Sequence, residues 1–436
     1  MKLFRRILFW THLAAGLIAG LFIGIMCFTG TILAFEHEIV AWAERDARRV
    51  TPPPAEQPRL PLTELQRRLR ESQPDFRPTS MVLLNDPSSA ITFSAGRDGG
   101  FQVNPYTGEA RQPASTAVHD FMHVMVDWHR YLGREGEQRP LGKLINGICN
   151  LAFAALALTG MYLWLPRTWS WNGVKAIALL NFRAVGKARD FNWHNAIGLW
   201  SAPILIVLTL TAVPISFRWG GDLIYRLTGE TPPAPQTPGA AAPSPREASP
   251  ASAPESPRPA PDARPIDHDV VLNRVQQDFP RWTQITLRTA PPQRAPRAPA
   301  SSVAAPSPTP ADASRAPSES NRPRAGANDR AGENRATPPP LTVIIREAGT
   351  WPRTATTTLT MDPFSGEILK REGYADLTAA RQIRSWTRFL HTGQALGWPG
   401  QLVAGLACLG GCFLVYTGFA LSWRRFFGKK SSAPLS

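Results

Sequence analysis

Two histidines of this chain occupy equivalent positions and could together bind one metal ion. Seven of the eight histidines lie at or near the ends of long apolar segments, and His12 and His194 occupy matching positions near the start of two such segments. Ionisable side chains are costly inside membrane helices, so they usually face the bundle interior and have a function. Two facing imidazoles at one depth can supply both axial ligands of a haem iron. The alternative is an interfacial pair whose side chains reach to the membrane surface.

A second pair is expected at the other membrane surface. His129 precedes the second apolar segment and His391 precedes the fourth. Under the internal repeat described below, His129 aligns with Thr387, and His391 lies one helical turn further along the same face. The same repeat aligns Arg130 with Arg388, and these two arginines could pair with haem propionates. Equally, they could be basic anchors at the membrane interface.

Three further histidines complicate the second pair. His119 and His123 are spaced i, i+4, as some metal sites require, but no HExxH arrangement is present and neither has a partner in the repeat. An amphipathic interfacial segment is the simpler interpretation for these two and for His37. We retain His123 as a reserve haem ligand. His268 is expected at the surface, near the start of a helix.

Four apolar segments must position these histidines. Each has 24 to 26 residues and almost no charge: 10–35, 141–165, 194–217 and 399–423 of the 436-residue chain. As a helix, each segment spans roughly 36–39 Å, enough to cross a hydrocarbon core of about 30 Å. A soluble protein is therefore excluded. The first segment is too long for a signal-peptide core and lacks a clear cleavage site, which favours an uncleaved helix.

The net charge of +15 is explained by membrane topology. Residues 1–9, 166–192 and 424–436 together hold twelve Lys or Arg and one acid, Asp190. Short basic segments of this kind remain in the cytoplasm, so both termini are predicted there and residues 36–140 and 218–398 on the opposite side. Tryptophans cluster at the segment ends, as in interfacial belts. No nucleic-acid partner is predicted.

The four cysteines lie within the apolar segments and form no zinc or iron–sulfur motif. They are Cys27, Cys149, Cys408 and Cys412. We expect them to be small apolar packing residues. The regions between the segments contain no cysteine, so no disulfide framework holds them.

The chain contains two copies of one unit. At an offset of 258, residues 104–109 (NPYTGE) recur as 362–367 (DPFSGE), and the same offset maps Arg130 onto Arg388 and Thr159-Gly160 onto Thr417-Gly418. The first and third segments match at an offset of 182: His12 with His194, Gly16 with Gly198, Thr29 with Thr211, and Phe35 with Phe217. Copies that both begin on one side are related by an axis along the membrane normal. His12 and His194 therefore lie at one depth, where Gly16 and Gly198 leave room for a porphyrin face.

The two offsets differ because the second copy carries inserts. Residues 231–265 and 291–340 are rich in Pro, Ala, Ser and Arg and contain 24 of the 43 prolines, so we expect them to be extended or disordered. The remainder of each copy is a helix, at 60–71 or 268–279, followed by three strand-like runs. These runs are 81–84, 91–94 and 101–103 in the first copy, and 284–288, 341–346 and 356–361 in the second. Each copy therefore forms an α+β module with a turn at its Pro-Tyr-Thr-Gly or Pro-Phe-Ser-Gly sequence.

These observations divide the chain into spans and modules. The predicted division is transmembrane helix 1 at 1–37, module 1 at 38–118, an interfacial segment with helix 2 at 119–165, a basic loop at 166–192, helix 3 at 193–217, module 2 with both inserts at 218–385, an interfacial segment with helix 4 at 386–423, and a tail at 424–436. The predicted fold is a mainly α membrane protein, a four-helix bundle with two α+β modules and disordered inserts.

The combined motifs resemble the PepSY-associated transmembrane proteins, or iron-regulated membrane proteins, which include ferric-siderophore reductases of the bacterial inner membrane. The resemblance rests on His12 with its Gly-rich helix and on residues 104–109, 128–132, 193–198, 362–367 and 389–397. It covers nearly the whole chain except the inserts. It implies periplasmic PepSY modules, an inner-membrane location with cytoplasmic termini and, in reductase members, b-type haems that carry electrons outward.

The leading hypothesis is a di-haem electron-transfer protein that reduces a periplasmic ferric siderophore or other ferric chelate. The chain has no Gly-x-Gly-x-x-Gly unit after a strand, so a quinol or a separate flavoprotein is the expected electron donor. The alternative is a haem-free membrane protein whose PepSY modules bind or regulate a periplasmic partner. A metal permease is disfavoured because no acidic residue lies in mid-membrane.

Overall fold

The computed structural model describes residues 2–54, 57–95, 100–113, 116–164, 170–234, 264–288 and 340–428. Its helices are α1 (Lys2–Leu33), α2 (Glu36–Ala43), α3 (Arg45–Arg48), α4 (Leu62–Ser72), α5 (Ala117–Tyr131), α6 (Arg139–Trp164), α7 (Trp171–Ala178), α8 (Gly186–Ser216), α9 (Arg218–Leu227), α10 (His268–Asp278), α11 (Ala379–His391) and α12 (Trp398–Phe427). Its strands are β1 (Ser80–Leu84), β2 (Ile91–Ser94), β3 (Gly100–Val103), β4 (Ala110–Arg111), β5 (Trp282–Arg288), β6 (Leu341–Glu347), β7 (Thr357–Met361) and β8 (Ile368–Glu372).

Four long apolar helices confirm the predicted multi-pass membrane protein. Helices α1, α6, α8 and α12 contain 26 to 32 residues each and are apolar enough to cross a membrane. Each of α1 and α8 begins eight residues before its apolar segment, because the basic residues there continue the same helix. Helix α1 packs against α6 and α12, and α8 packs against the same two. Helices α1 and α8 therefore occupy opposite corners of the bundle.

Two phenylalanines at equivalent positions of the repeat pack between the two copies. A Cβ atom added to Gly405 would lie 2.7 Å from the Phe35 ring, and one added to Gly147 would lie 2.6 Å from the Phe217 ring. Phe35 aligns with Phe217, and Gly147 aligns with Gly405. Each phenylalanine thus fills a space left by a glycine of the other copy, because a larger side chain there would overlap its ring.

Eight antiparallel strands form one sheet outside the bundle, in the order β4-β3-β2-β1-β5-β6-β7-β8. The two modules meet where β1 pairs with β5, from Ser80 opposite Arg288 to Leu84 opposite Gln284. The six strands predicted from alternating side chains are confirmed within two residues at each end. Strands β4 and β8 were not predicted, because one has two residues and the other carries little apolar alternation.

The two modules share one hydrophobic core. Helices α4 and α10 pack on a single face of the sheet, and Leu65, Phe93, Ile285, Val343 and Leu359 are completely buried there. The repeated turn is also present in both copies, since Gly108 and Gly366 both adopt positive φ, at +74° and +69°. The predicted disorder of the Pro-rich inserts falls almost entirely outside the described residues.

A residue of module 2 caps helix α4 of module 1. The Asp269 carboxylate accepts hydrogen bonds from the backbone N–H groups of Leu62 (2.5 Å) and Thr63 (3.0 Å) at the start of α4. These groups have no partner within their own helix. We expect Asp269→Ala to lower the free energy of unfolding of the sheet domain by about 1–2 kcal/mol, as for loss of an N-cap. Urea unfolding measures this, and Asp278→Ala, at the exposed end of α10, should change it little; equal losses in both variants would contradict the cap.

Candidate functional site

His129 and His391 form a close pair, as the repeat predicted. His129 lies on α5, which packs against α1, and His391 lies on α11, which packs against α8. Their ring centroids are 6.2 Å apart, with an angle of 50° between the ring planes. Two imidazoles that bind one metal ion from opposite sides, with bonds of about 2 Å, have centroids about 6 Å apart. We call these two residues the sheet-side pair, and their spacing fits a shared metal.

Hydrogen bonds fix the tautomer of the sheet-side pair. The Thr29 hydroxyl donates to the Ile25 carbonyl (2.7 Å), so its oxygen accepts from Nδ1 of His129 (2.9 Å). Nδ1 of His391 donates to the Leu208 carbonyl (2.9 Å). Each ring therefore carries its proton on Nδ1, which leaves the Nε2 lone pair available.

His12 and His194 make the same hydrogen bond, each within its own copy. Nδ1 of His12 contacts the Thr159 hydroxyl (2.9 Å), which donates to the Ala155 carbonyl (2.7 Å). Nδ1 of His194 contacts the Thr417 hydroxyl (2.8 Å), which donates to the Phe413 carbonyl (2.7 Å). We call His12 and His194 the loop-side pair, since they lie near the loop that joins α6 to α8.

Glycines bring these rings against the neighbouring helices. Cβ atoms added to Gly160 and Gly418 would lie 3.3 Å from the His12 ring and 3.7 Å from the His194 ring. These glycines directly follow the two threonines and align with each other in the repeat. Each Thr-Gly sequence therefore supplies both a hydrogen-bond partner and the space for an imidazole.

The two pairs lie at different depths in the bundle. Along α1, seventeen residues separate His12 from Thr29, the partner of His129, which corresponds to about 26 Å. Along α8, fourteen residues separate His194 from Leu208, the partner of His391, which corresponds to about 21 Å. The four histidines thus form two levels along one bundle.

The sheet-side pair is partly buried, and two arginines lie near it. Burial, and secondarily the nearby His391 ring, lower the pKa of His129 to about 4, so the imidazole is neutral at pH 7. Arg388 is half-buried, and burial followed by the proximity of Arg130 lowers the pKa of its guanidinium. Within the described residues, neither arginine forms an ion pair with a carboxylate. Both can therefore neutralise an anionic group that enters this region.

The remaining sequence candidates lie apart from the pairs. His123 is exposed on α5, about 9 Å along the helix axis before His129, and its role as a reserve ligand stays a prediction. His37 is also exposed, whereas Nε2 of His119 is hydrogen-bonded to the buried Glu44 carboxylate. In the described part of the chain, no group of three or more His, Cys, Asp or Glu side chains could hold a metal ion.

The second-sphere partners were missed by the sequence reasoning. Thr159 and Thr417 were found only as aligned positions, and Thr29 was aligned with Thr211, which does not contact His391. Hydroxyl groups one helix away from each histidine could have been sought, because metal-binding imidazoles usually donate their second N–H. The Leu208 carbonyl has no such signal, since every residue has a carbonyl group.

Four apolar helices that carry histidines at two levels, joined to one eight-stranded sheet, define a multi-pass membrane protein. The chain belongs to the family described as PepSY-associated TM region, whose model matches residues 9–425. A comparison with curated proteins found no match. The match includes His12, His129, His194 and His391, the sheet, and all but the outer ends of the first and fourth spans.

Proposed function

We propose that this protein carries electrons across the bacterial inner membrane through two b-type haems to a periplasmic ferric siderophore or other ferric chelate. The loop-side pair, His12 and His194, would hold one haem, and the sheet-side pair, His129 and His391, would hold the other. The supporting observation is that all four histidines have Nδ1 hydrogen-bonded. Four Nε2 atoms are thereby left for two iron ions.

The chain's own residues provide the geometry for this function. Haem, when bound, supplies reversible one-electron chemistry whose potential depends on axial ligands and burial. The threonine hydroxyls orient the imidazoles and raise their basicity. Arg130 and Arg388 would pair with propionate groups at the sheet side.

The proposed electron transfer also has a direction, a donor and an acceptor. The loop that joins α6 to α8 and both termini are basic, so they are expected in the cytoplasm. Electrons would therefore enter at the loop-side pair and leave at the sheet-side pair. A quinol or a separate flavoprotein would be the donor. A ferric chelate that accepts one electron releases its iron more readily, because ferrous iron binds hard oxygen ligands less tightly.

A visible spectrum and a haem assay test the cofactor directly. The detergent-purified protein should show a sharp Soret band, a dithionite-induced α-band and two haems per chain. A featureless spectrum from cells grown with ample iron would overturn the proposal. It would support instead a haem-free protein whose PepSY modules bind or regulate a partner.

The threonine partners give a test of how each histidine is held. Thr159→Val keeps the shape of the side chain but removes the acceptor for Nδ1 of His12. We expect about 10–100-fold weaker haem retention at the loop-side pair and a shifted midpoint potential, as for loss of other outer-sphere partners. Redox titration and haem release to apomyoglobin measure both quantities.

Matched threonines control for this change. Thr417→Val should act similarly, because it removes the partner of His194. Thr211→Val should leave haem retention unchanged, since within the described part of the chain the Thr211 hydroxyl donates to backbone carbonyls of its own helix and to no histidine. Equal effects of Thr159→Val and Thr211→Val would contradict the assigned role.

A further inference from the structure

Helix α7 and residues 179–185 form a segment with large apolar side chains exposed at its surface. Trp171, Phe182 and Val185 are exposed by 73%, 77% and 81%. The segment joins two membrane-spanning helices, so it lies at the membrane surface. Neither histidine pair uses it.

Three hydrogen bonds hold this segment to α8. The Trp200 indole donates to the Ala178 carbonyl (2.9 Å), and the Asn192 amide donates to the Leu179 carbonyl (3.0 Å). The backbone N–H of Asn181 in turn donates to the Asn192 side-chain oxygen (2.7 Å). The segment therefore has a fixed conformation on α8.

These bonds also place the end of α7 beside the apolar part of α8. Trp200 lies six residues after His194, about 9 Å further into the apolar part of α8. The end of α7 thus reaches past the loop-side pair, and the chain then returns along α8 to Gly186. A segment at this depth contacts lipid headgroups and the upper acyl chains.

A basic groove crosses the segment. It has a volume of about 550 Å³ and is lined by Asn172, Lys175, Leu179, Leu180, Asn181, Phe182, Arg183 and Asn192. Its two charged side chains are both cations, and within the described residues neither Lys175 nor Arg183 forms an ion pair. Lys175 lies 5.6 Å from the Trp171 ring centroid, so the charge is directed along an aromatic surface.

We propose that this groove binds the headgroup of an anionic phospholipid. Two cations, Lys175 and Arg183, and the amides of Asn172 and Asn181 match a phosphodiester, since ammonium, guanidinium and amide N–H groups all donate hydrogen bonds to phosphate oxygens. The exposed Trp171 and Phe182 would pack against the attached acyl chains, a role that a soluble phosphate ion would not require. Charge complementarity and membrane depth therefore indicate the same ligand.

Native mass spectrometry of the full-length protein can test this site. The protein is titrated in detergent with phosphatidylglycerol and, separately, with phosphatidylcholine of the same acyl chains. Unmodified protein should retain phosphatidylglycerol preferentially. Lys175→Gln/Arg183→Gln should weaken its binding about 30-fold, because each basic residue near an anionic membrane surface contributes roughly fivefold.

Two further variants separate charge from folding. Lys175→Arg/Arg183→Lys keeps both charges and should keep binding. Arg70→Gln/Arg226→Gln removes two exposed cations from the sheet side and should bind as the unmodified protein does. Haem content should be the same in every variant, so a failure here is distinct from a failure of the proposed electron-transfer function.

Three results would overturn the proposal. One is equal retention of phosphatidylcholine and phosphatidylglycerol by the unmodified protein. The second is unchanged phosphatidylglycerol binding in the Lys175→Gln/Arg183→Gln variant. The third is displacement of the lipid by millimolar inorganic phosphate, which would assign the groove to a soluble anion.

Discussion

Replacing His129 or His391 with alanine is expected to lower the haem content from the proposed two per chain to about one. Each substitution removes one of the two imidazoles at the sheet-side pair, whose ring centroids are 6.2 Å apart. A haem held by one imidazole instead of two would be retained less tightly and would have a different spectrum. Pyridine haemochromogen assays and low-temperature spectra measure the loss. His12→Ala or His194→Ala should remove the other half.

Combined and control substitutions make this result decisive. His12→Ala/His129→Ala should remove nearly all haem, because one ligand is lost at each level. His37→Ala removes an exposed histidine outside both pairs and should retain two haems. Loss of haem in His123→Ala without loss in His129→Ala would transfer the ligand role to His123. Unchanged stoichiometry in all four single ligand variants would refute both sites.

Gly400→Ala is expected to displace His391 and remove the sheet-side haem. A Cβ atom at position 400 would lie 2.3 Å from the Gly393 carbonyl oxygen and 2.9 Å from Cβ of Leu396. Gly393, two residues after His391, has φ of +73°, and its own turn is closely packed. The backbone that joins α11 to α12 must therefore move. We expect haem content to fall to about one per chain and the free energy of unfolding to fall by about 1–3 kcal/mol, a typical cost of overpacking.

A helical glycine with free space provides the control. Cβ on Gly24 would lie 3.5 Å from Val415, which is an ordinary contact distance. Gly24→Ala should therefore retain two haems and unmodified thermal stability. If Gly400→Ala kept both haems while it lost stability, the turn would support folding without positioning His391.

The spans and the repeated elements could be predicted because each has a local signal. Apolar length fixes the four helices, and alternation fixes strands such as β2, whose bounds match the prediction. The paired histidines followed from alignment of the two copies. Even the four-residue displacement of His391 from the aligned position was compatible with pairing, since one helical turn restores the same face.

The shared sheet and the position of helix α7 required the three-dimensional structure. Strand β1 begins at Ser80 in the first module, and β5 begins at Trp282 in the second. Nothing in the composition of either strand identifies the other as its partner. Helix α7 has only eight residues, too few for periodicity to define a face. Its position depends on single hydrogen bonds, such as that from Trp200, which no pattern encodes.

The pairing of β1 with β5 has a consequence for how the duplicated chain is assembled. These are the first strands of the two modules and they run antiparallel, so the twofold axis passes between them. Each copy also supplies one histidine to each level, and each places a phenylalanine on a glycine of the other. One copy alone would therefore have two half-sites and an open sheet edge. It would be complete only as a symmetric homodimer, the arrangement that this single chain reproduces by joining two such subunits covalently.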